Sequence, residues 1–157
     1  LFLCFSDCES WFKNIPNNTF NALSKLTQLE EFTIILSRLE ILPNNIYLML
    51  RSLAELKNLA SFELAVSDCR NIDRDCISEI LIYVPSFPNL KEFALFAYRI
   101  PCYITTLSLD LQSSLKTAKR LRKLHLSLID SISEKDGKEL EEELKKKFSR
   151  IEIKIRT

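Results

Sequence analysis

One stretch of the chain, Leu90-Lys-Glu-Phe-Ala-Leu95, has close copies on both sides of it. The copies are Leu29-Glu-Glu-Phe-Thr-Ile34, Leu59-Ala-Ser-Phe-Glu-Leu64, Leu121-Arg-Lys-Leu-His-Leu126 and Phe148-Ser-Arg-Ile-Glu-Ile153. With the last residue of each copy as position zero, and Leu3 in the same frame, the spacings are 31, 30, 31, 31 and 27 residues. Internal repetition of this length is typical of proteins built from stacked units.

Apolar residues occupy fixed positions in this frame. Positions −11, −8, −5, −2, 0 and +2 are apolar in 31 of 33 cases, although a composition of 46% hydrophobic residues would give about 15. Around position zero the apolar residues alternate, as in a strand with one buried face. Further upstream, Ile46, Met49, Leu50 and Leu53 have the spacing of an amphipathic helix. Each repeat unit is therefore predicted to contain one strand and one helix.

The frame Leu-x-x-Leu-x-x-Leu-x-x-Phe/Leu-x-Leu resembles the leucine-rich repeat superfamily. The repeat length, with a helix in each unit, is most similar to its long, ribonuclease-inhibitor-like branch. The resemblance implies an α/β fold, a solenoid with a curved parallel sheet on its concave side and helices on its convex side. The family usually places Asn or Cys five residues after position zero, and here only Cys8 and Cys69 match.

A single solenoid of about five turns is predicted over residues 1–157. The last turn, 127–157, is predicted to be a C-terminal cap, because Glu142 and Lys145 replace apolar residues of the frame and end units must tolerate water. Asp136-Gly137 is interpreted as a turn before the final helix. The strand that opens the chain has no lead-in, so we expect a fragment of a longer protein, whose targeting signals would lie upstream.

Composition excludes several classes of function. The net charge is +1, which argues against a dedicated nucleic-acid binder, and one glycine is too few for phosphate-binding loops. The five cysteines have no paired spacing, so neither a disulfide framework nor a metal site is expected, and no cofactor is predicted. Reduced cysteines favour an intracellular, cytoplasmic protein, and targeting to an organelle stays open. No apolar run reaches the length of a membrane span.

Outward-facing residues of successive strands predict a binding surface on the concave face. Its candidate contacts combine an apolar strip with charged edges, namely Ile35, Glu63, Ala65, Glu92, Phe96, Tyr98, Lys123 and His125. Arg150 is placed at one edge of the strip. His125, the only histidine, is expected between Ala94 and Glu152, where no nucleophile accompanies it. The exposed last strand, with Ile151, Ile153 and Ile155, is a second candidate contact through edge pairing.

These features predict a non-enzymatic scaffold that binds another protein within a larger complex. One alternative is the substrate-recognition adaptor of a ubiquitin ligase, which an F-box-like segment upstream would favour. Another is an RNA-associated subunit that uses the basic residues Lys116, Lys119, Arg120, Arg122 and Lys123. A solvated helix face explains that basic run more simply, since no aromatic residues are interleaved with it. An enzyme is the least favoured class.

Overall fold

The computed structural model describes residues 1–6, 17–100 and 102–157, without the side chains of Asn17 and Asn18. Strands and helices alternate along this part of the chain. They are β1 (Phe2–Ser6), α1 (Asn17–Leu23), β2 (Glu31–Ser37), α2 (Pro43–Ala54), β3 (Ser61–Ser67), α3 (Arg74–Tyr83), a 3₁₀ turn (Val84–Ser86), β4 (Glu92–Tyr98), α4 (Ile104–Thr117), β5 (Lys123–Ser127), α5 (Glu134–Lys147) and β6 (Glu152–Arg156). None of these helices is long and apolar enough to cross a membrane.

All six strands form one parallel sheet, in which their order is the same as their order in the chain. One face of the sheet packs against the helices, because every second strand residue is buried in a core shared with the apolar faces of α2 to α5. The other strand residues lie on the opposite face and are mostly exposed or half-buried. We call this opposite face the open face. The chain is thus an α/β protein with a six-stranded parallel sheet.

Repeated residues pack on one another in the core. Phe62 lies between Phe32 and Phe93, with ring centroids 6.0 Å and 5.6 Å away, and all three side chains are buried. Leu64 and Leu95 are 0% exposed, so their predicted burial is confirmed. The helical spacing predicted from Ile46 to Leu53 is also confirmed, since its four apolar residues are buried on α2.

The strand ends share a backbone conformation that the sequence did not predict. Arg38, Asp68, Arg99 and Asp130 have φ angles of 53°, 51°, 57° and 56°, and they follow β2, β3, β4 and β5, one in each successive unit. Positive φ costs free energy in residues other than glycine, and Asp tolerates it better than most. Its recurrence at equivalent positions shows that the chain leaves these strands by the same turn.

The last unit corrects two predictions. Leu126 pairs with Ile155, not with Ile153, so β6 is shifted by two residues from the predicted register. Asp136 and Gly137 lie in the first turn of α5 and not before it. The Ser133 side chain accepts a hydrogen bond from the Asp136 N–H at 3.1 Å, so the helix begins directly after Ser133.

Candidate functional site

The candidate site is the open face, where residues of neighbouring strands line up in rows. The first row is Glu31, Ser61, Glu92, Lys123 and Glu152. The second row is Phe2, Thr33, Glu63, Ala94, His125 and Lys154. The third row is Cys4, Ile35, Ala65, Phe96, Ser127 and Arg156. Side chains within a row are close enough to interact, because neighbouring strands lie about 4.8 Å apart.

The predicted apolar strip lies in the third row. Ile35, Ala65 and Phe96 follow one another on β2, β3 and β4, and all three are half-buried. The Phe96 ring contacts the His125 ring edge to face, with centroids 5.1 Å apart. Tyr98, further along β4, packs under the Arg99 guanidinium, which lies 4.7 Å from the centre of its ring. The aromatic groups of the open face are therefore concentrated on β4 and β5.

The first row contains an ion pair across two strands. Lys123 Nζ lies 2.7 Å from Glu92 Oε1, and both side chains are about half exposed. The hydrogen bond and the charge of Glu92 raise the pKa of Lys123 above its usual value. Solvent screens a pair this exposed, so it adds little to folding stability. Its main effect is that these two predicted contact residues neutralise each other.

His125 is surrounded differently from the prediction. Its row neighbours are Ala94 and Lys154, whereas Glu152 lies beside Lys123. Burial lowers the pKa of His125, and the positive charges of Arg156 and Lys154 lower it further against the opposing effect of Glu63. Its Nε2 atom is buried without a hydrogen-bond partner among the described residues. The imidazole is therefore neutral at pH 7 and offers an aromatic surface, not a charge.

Arg150 does not lie at the edge of the apolar strip, contrary to the prediction. Its guanidinium donates hydrogen bonds to the carbonyls of Leu115, Ala118 and Lys119 at 3.0, 3.0 and 2.6 Å. These carbonyls stand at the end of α4, where the helix leaves its last backbone acceptors unpaired. Arg150 thus ties β6 to α4 and is not available to a partner on the open face.

A depression of about 270 Å³ lies between the first two rows. Its lining includes Glu63, Ala94, His125 and Lys154, together with the Glu92–Lys123 pair. The small side chain of Ala94 leaves this space between larger neighbours. The open face is consequently not flat at its centre, and a side chain of a partner could enter the space.

The second predicted contact, the edge of β6, is partly closed. Ile151 and Ile153 are 3% and 2% exposed and Ile155 is half-buried, so their side chains pack in or against the core. The outward N–H of Ile155 donates a hydrogen bond to the Glu141 carboxylate of α5. A side chain that occupies an edge N–H hinders the addition of another strand. One outward backbone group of β6 is therefore occupied, and edge pairing at β6 stays a prediction.

Three of the five residues of the basic run, Arg120, Arg122 and Lys123, contact other protein groups. The Arg120 guanidinium donates to the Asn89 side chain, and Arg122 donates to the Lys119 carbonyl at 3.3 Å. Lys123 is paired with Glu92. Lys116 and Lys119 are exposed on the helix side. Of these residues, Lys123 is thus paired with an opposite charge, whereas Arg120 and Arg122 donate to neutral acceptors.

Sequence reasoning missed a set of side chains that link successive units. Asn58 Nδ2 donates to the Thr27 carbonyl at 2.9 Å, and Asn89 Nδ2 donates to the Lys57 carbonyl at 2.5 Å. Cys69 Sγ lies 3.4 Å from the Leu36 carbonyl and Ser131 Oγ 3.3 Å from that of Ala97. The signal was the recurrence of polar residues beside each strand at the period of the repeat. These groups support the site but do not form it.

The four described cysteines are not paired with one another. Cys4, Cys69, Cys76 and Cys102 carry free thiols, and burial raises the pKa of the last three. Cys8, which was considered with Cys69, lies outside the described residues. Within the described ranges, no three His, Cys, Asp or Glu side chains are grouped as metal ligands would be.

Comparison with known proteins gives no family for the chain. No family model matches the sequence, and no curated protein is significantly similar to it. Functional conclusions about the open face therefore depend on the chemistry and geometry of its own residues.

Proposed function

We propose that the chain is a leucine-rich-repeat solenoid that serves as a non-enzymatic scaffold and binds another protein on its open face. In this proposal the open face is the concave face of the solenoid, and the protein is one part of a larger intracellular assembly. The free thiols of the described cysteines agree with a cytoplasmic location.

The regularity of the units supports the solenoid. Equivalent residues of β2 to β5 pair with one another across the sheet, and the turn with positive φ recurs after each of these strands. Cys69 and Ser131 occupy the position where leucine-rich repeats usually carry Asn or Cys, and both donate hydrogen bonds to the preceding unit. Linked neighbouring units are what a stack of repeats requires.

The aromatic centre of the open face carries the functional proposal. Phe96 lies on the face that no described helix covers, and its ring packs edge to face on His125. Ile35 and Ala65 continue the apolar strip on the strands before it. Apolar residues framed by charged ones are the usual composition of protein-binding surfaces, in which aromatic residues are enriched.

The other functions have less support. An adaptor of a ubiquitin ligase would use the same open face and would differ in its additional domains. RNA binding would use the basic run, in which Glu92 neutralises Lys123, whereas Arg120 and Arg122 keep their charge because their acceptors are neutral. No aromatic residues are interleaved with the run to stack on bases. An enzyme would need reacting groups beside His125, whose row neighbours are Ala94 and Lys154.

Replacement of Phe96 by Ala tests the proposal. Partner chains that co-purify with the full-length protein are first identified by mass spectrometry, and the affinity of one purified partner is then measured. We expect Phe96→Ala to weaken binding by about 2 kcal/mol, which is roughly 30-fold, because an aromatic anchor would be lost. The fold should persist, since the ring lies outside the core between the sheet and the helices.

Leu109→Ala is the matched control. Leu109 is 62% exposed on α4, so its removal takes a large apolar group from the helix side of the molecule. The control should bind as the wild type does. Normal binding by Phe96→Ala together with weak binding by Leu109→Ala would move the interface to the helices.

A further inference from the structure

We propose that the open face binds a peptide segment with opposite charges at its two ends, the cationic end over Glu63 and the anionic end over Lys154. The segment would belong to the partner protein and would cross the strands along the second row. This inference rests on the proposed function, and it adds the chemistry and the orientation of the partner.

The two charges of the second row lie on separate strands and are not held in salt bridges. Across β3 to β6 the second row consists of Glu63, Ala94, His125 and Lys154. Its two charged residues, Glu63 and Lys154, are therefore three strands apart. Neither side chain forms a salt bridge with another described residue, although the charge of Lys154 also lowers the pKa of Glu141 in α5. In the first row, by contrast, Glu92 and Lys123 lie 2.7 Å apart and cancel each other. A partner would therefore meet free charge mainly at the two ends of the second row.

Neighbouring rows have the same polarity. Glu31 lies on β2 in the first row and Arg156 lies on β6 in the third row, so acidic charge is added on one side and basic charge on the other. Glu152 is an acidic residue at the basic end, on β6. It lies beside Lys123, however, and its charge helps to raise the pKa of Lys123. A segment of uniform charge would be attracted at one end of the face and repelled at the other. A segment with opposite charges at its two ends would be attracted at both ends.

The centre of the row is uncharged and hollow. The depression of about 270 Å³ is lined by Ala94 and His125 as well as by the two charged ends. Burial and the nearby Arg156 and Lys154 lower the pKa of His125, so its ring stays neutral at pH 7. The Phe96 ring stands against it in the third row. This arrangement suits an apolar side chain in the middle of the bound segment.

Strand spacing sets the length of the segment. Three intervals between β3 and β6 give about 14 Å between the backbone positions of Glu63 and Lys154. An extended peptide covers that distance in about four residues, and a helix in about nine. The recognised element is therefore short, with an apolar residue between its charges.

Three labelled peptides of equal length and with the same apolar centre serve as probes. One carries lysines at one end and glutamates at the other, one carries only lysines, and one carries only glutamates. Binding to the purified chain is measured by fluorescence anisotropy at moderate ionic strength, where exposed charges still act over about 10 Å. We expect the dipolar peptide to bind about tenfold more tightly than either uniform peptide.

Charge reversal on the protein gives the sharper test. Glu63→Lys makes the row basic at both ends and should transfer the preference to the all-glutamate peptide. Lys154→Glu should transfer it to the all-lysine peptide. The double variant restores opposite ends with reversed polarity, so it should again prefer the dipolar peptide, bound the other way round. Glu79→Lys, on the helix side of the molecule in α3, is the control and should leave every preference unchanged.

The outcomes separate this inference from the proposed function. Equal binding of all three peptides, with each weakened by Phe96→Ala, would leave the open face as a protein-binding surface but would overturn its charge selection. Failure of the double variant to regain the dipolar peptide, while its melting temperature matches the wild type, would also overturn it. If none of the peptides binds, the inference is overturned, whereas the open face itself is refuted as a binding surface if Phe96→Ala binds the purified partner protein as the wild type does.

Discussion

At the β1 end of the sheet Leu1 is 50% exposed, whereas Ile153, at the equivalent position beside β5, is 2% exposed. One position further along the same face, Leu3 and Ile155 are both half-buried. Beside β6 lies α5, whose outer surface carries ion pairs between residues four apart, such as Glu134–Lys138 and Glu143–Lys147. No described element covers β1 in this way. A repeat position alone therefore does not bury a residue. Burial requires a neighbouring unit, or a helix adapted to water, on each side.

Truncation of a core side chain should cost more stability at the centre of the sheet than at the β1 end. Leu95→Ala should lower the free energy of unfolding by about 2–5 kcal/mol, because it opens a cavity in a fully packed core. Leu3 occupies the equivalent position on β1, and Leu3→Ala should cost clearly less, because Leu3 is already partly in contact with solvent. Urea unfolding of the two variants measures both values. Equal losses would mean that β1 is as well packed as β4.

A smaller effect is expected at the β6 end. Glu141→Ala removes the acceptor of the Ile155 N–H and should destabilise the protein by about 1–2 kcal/mol. Burial acts to raise the pKa of Glu141, but the hydrogen bonds from Lys145 and Ile155 outweigh it and hold the pKa below its usual 4.5. A carboxyl group whose pKa is lowered by folding stabilises the native state above its unfolded pKa. That contribution is lost as the pH falls through the lower native value.

Glu142→Ala is the control for Glu141, since Glu142 is exposed on the same helix. The difference in unfolding free energy between the two variants should be present at pH 7 and shrink below about pH 4.5. If the two variants were equally stable at pH 7, the contact between α5 and the edge of β6 would have no energetic role.

The smallest effect concerns the charge difference across the open face. His125 is the only histidine, so one NMR resonance reports its pKa directly. We expect a value below 6.5 in the wild type, a higher one in Lys154→Gln and a lower one in Glu63→Gln. Because folding lowers this pKa, His125 should cost the protein stability as the pH falls below about 6.5. Shifts of the opposite sign in the two variants would contradict the rows described for this face.

Much of the sheet could be predicted from the period of the repeat. The alternation around Leu64 and Leu95 identified their buried faces, and the spacing gave the pairings of β1 to β5 correctly. The candidate contacts could be assigned to one face for the same reason. Which of them a partner touches stays a prediction, because exposure and register do not specify a ligand.

The register of β6 could not be predicted for a physical reason. Side chains alternate with a period of two, so a shift by two residues leaves the same side chains in the core. Ile153 and Ile155 are both isoleucines, and the helix before them lacks the apolar residues that fixed the frame elsewhere. The shift placed Lys154 beside His125 and released Arg150 to cap α4. The open face therefore has Lys154 beside His125 and lacks the charge of Arg150.

The order of the strands has a consequence for how the protein is made. Since the order in the sheet is the order in the chain, each strand pairs only with the strands made just before and just after it. A growing chain on the ribosome can therefore add each strand to the sheet as soon as it emerges. None of the described strands waits for a segment more than one unit away, so the apolar surface left unpaired during synthesis is mainly that of the newest unit.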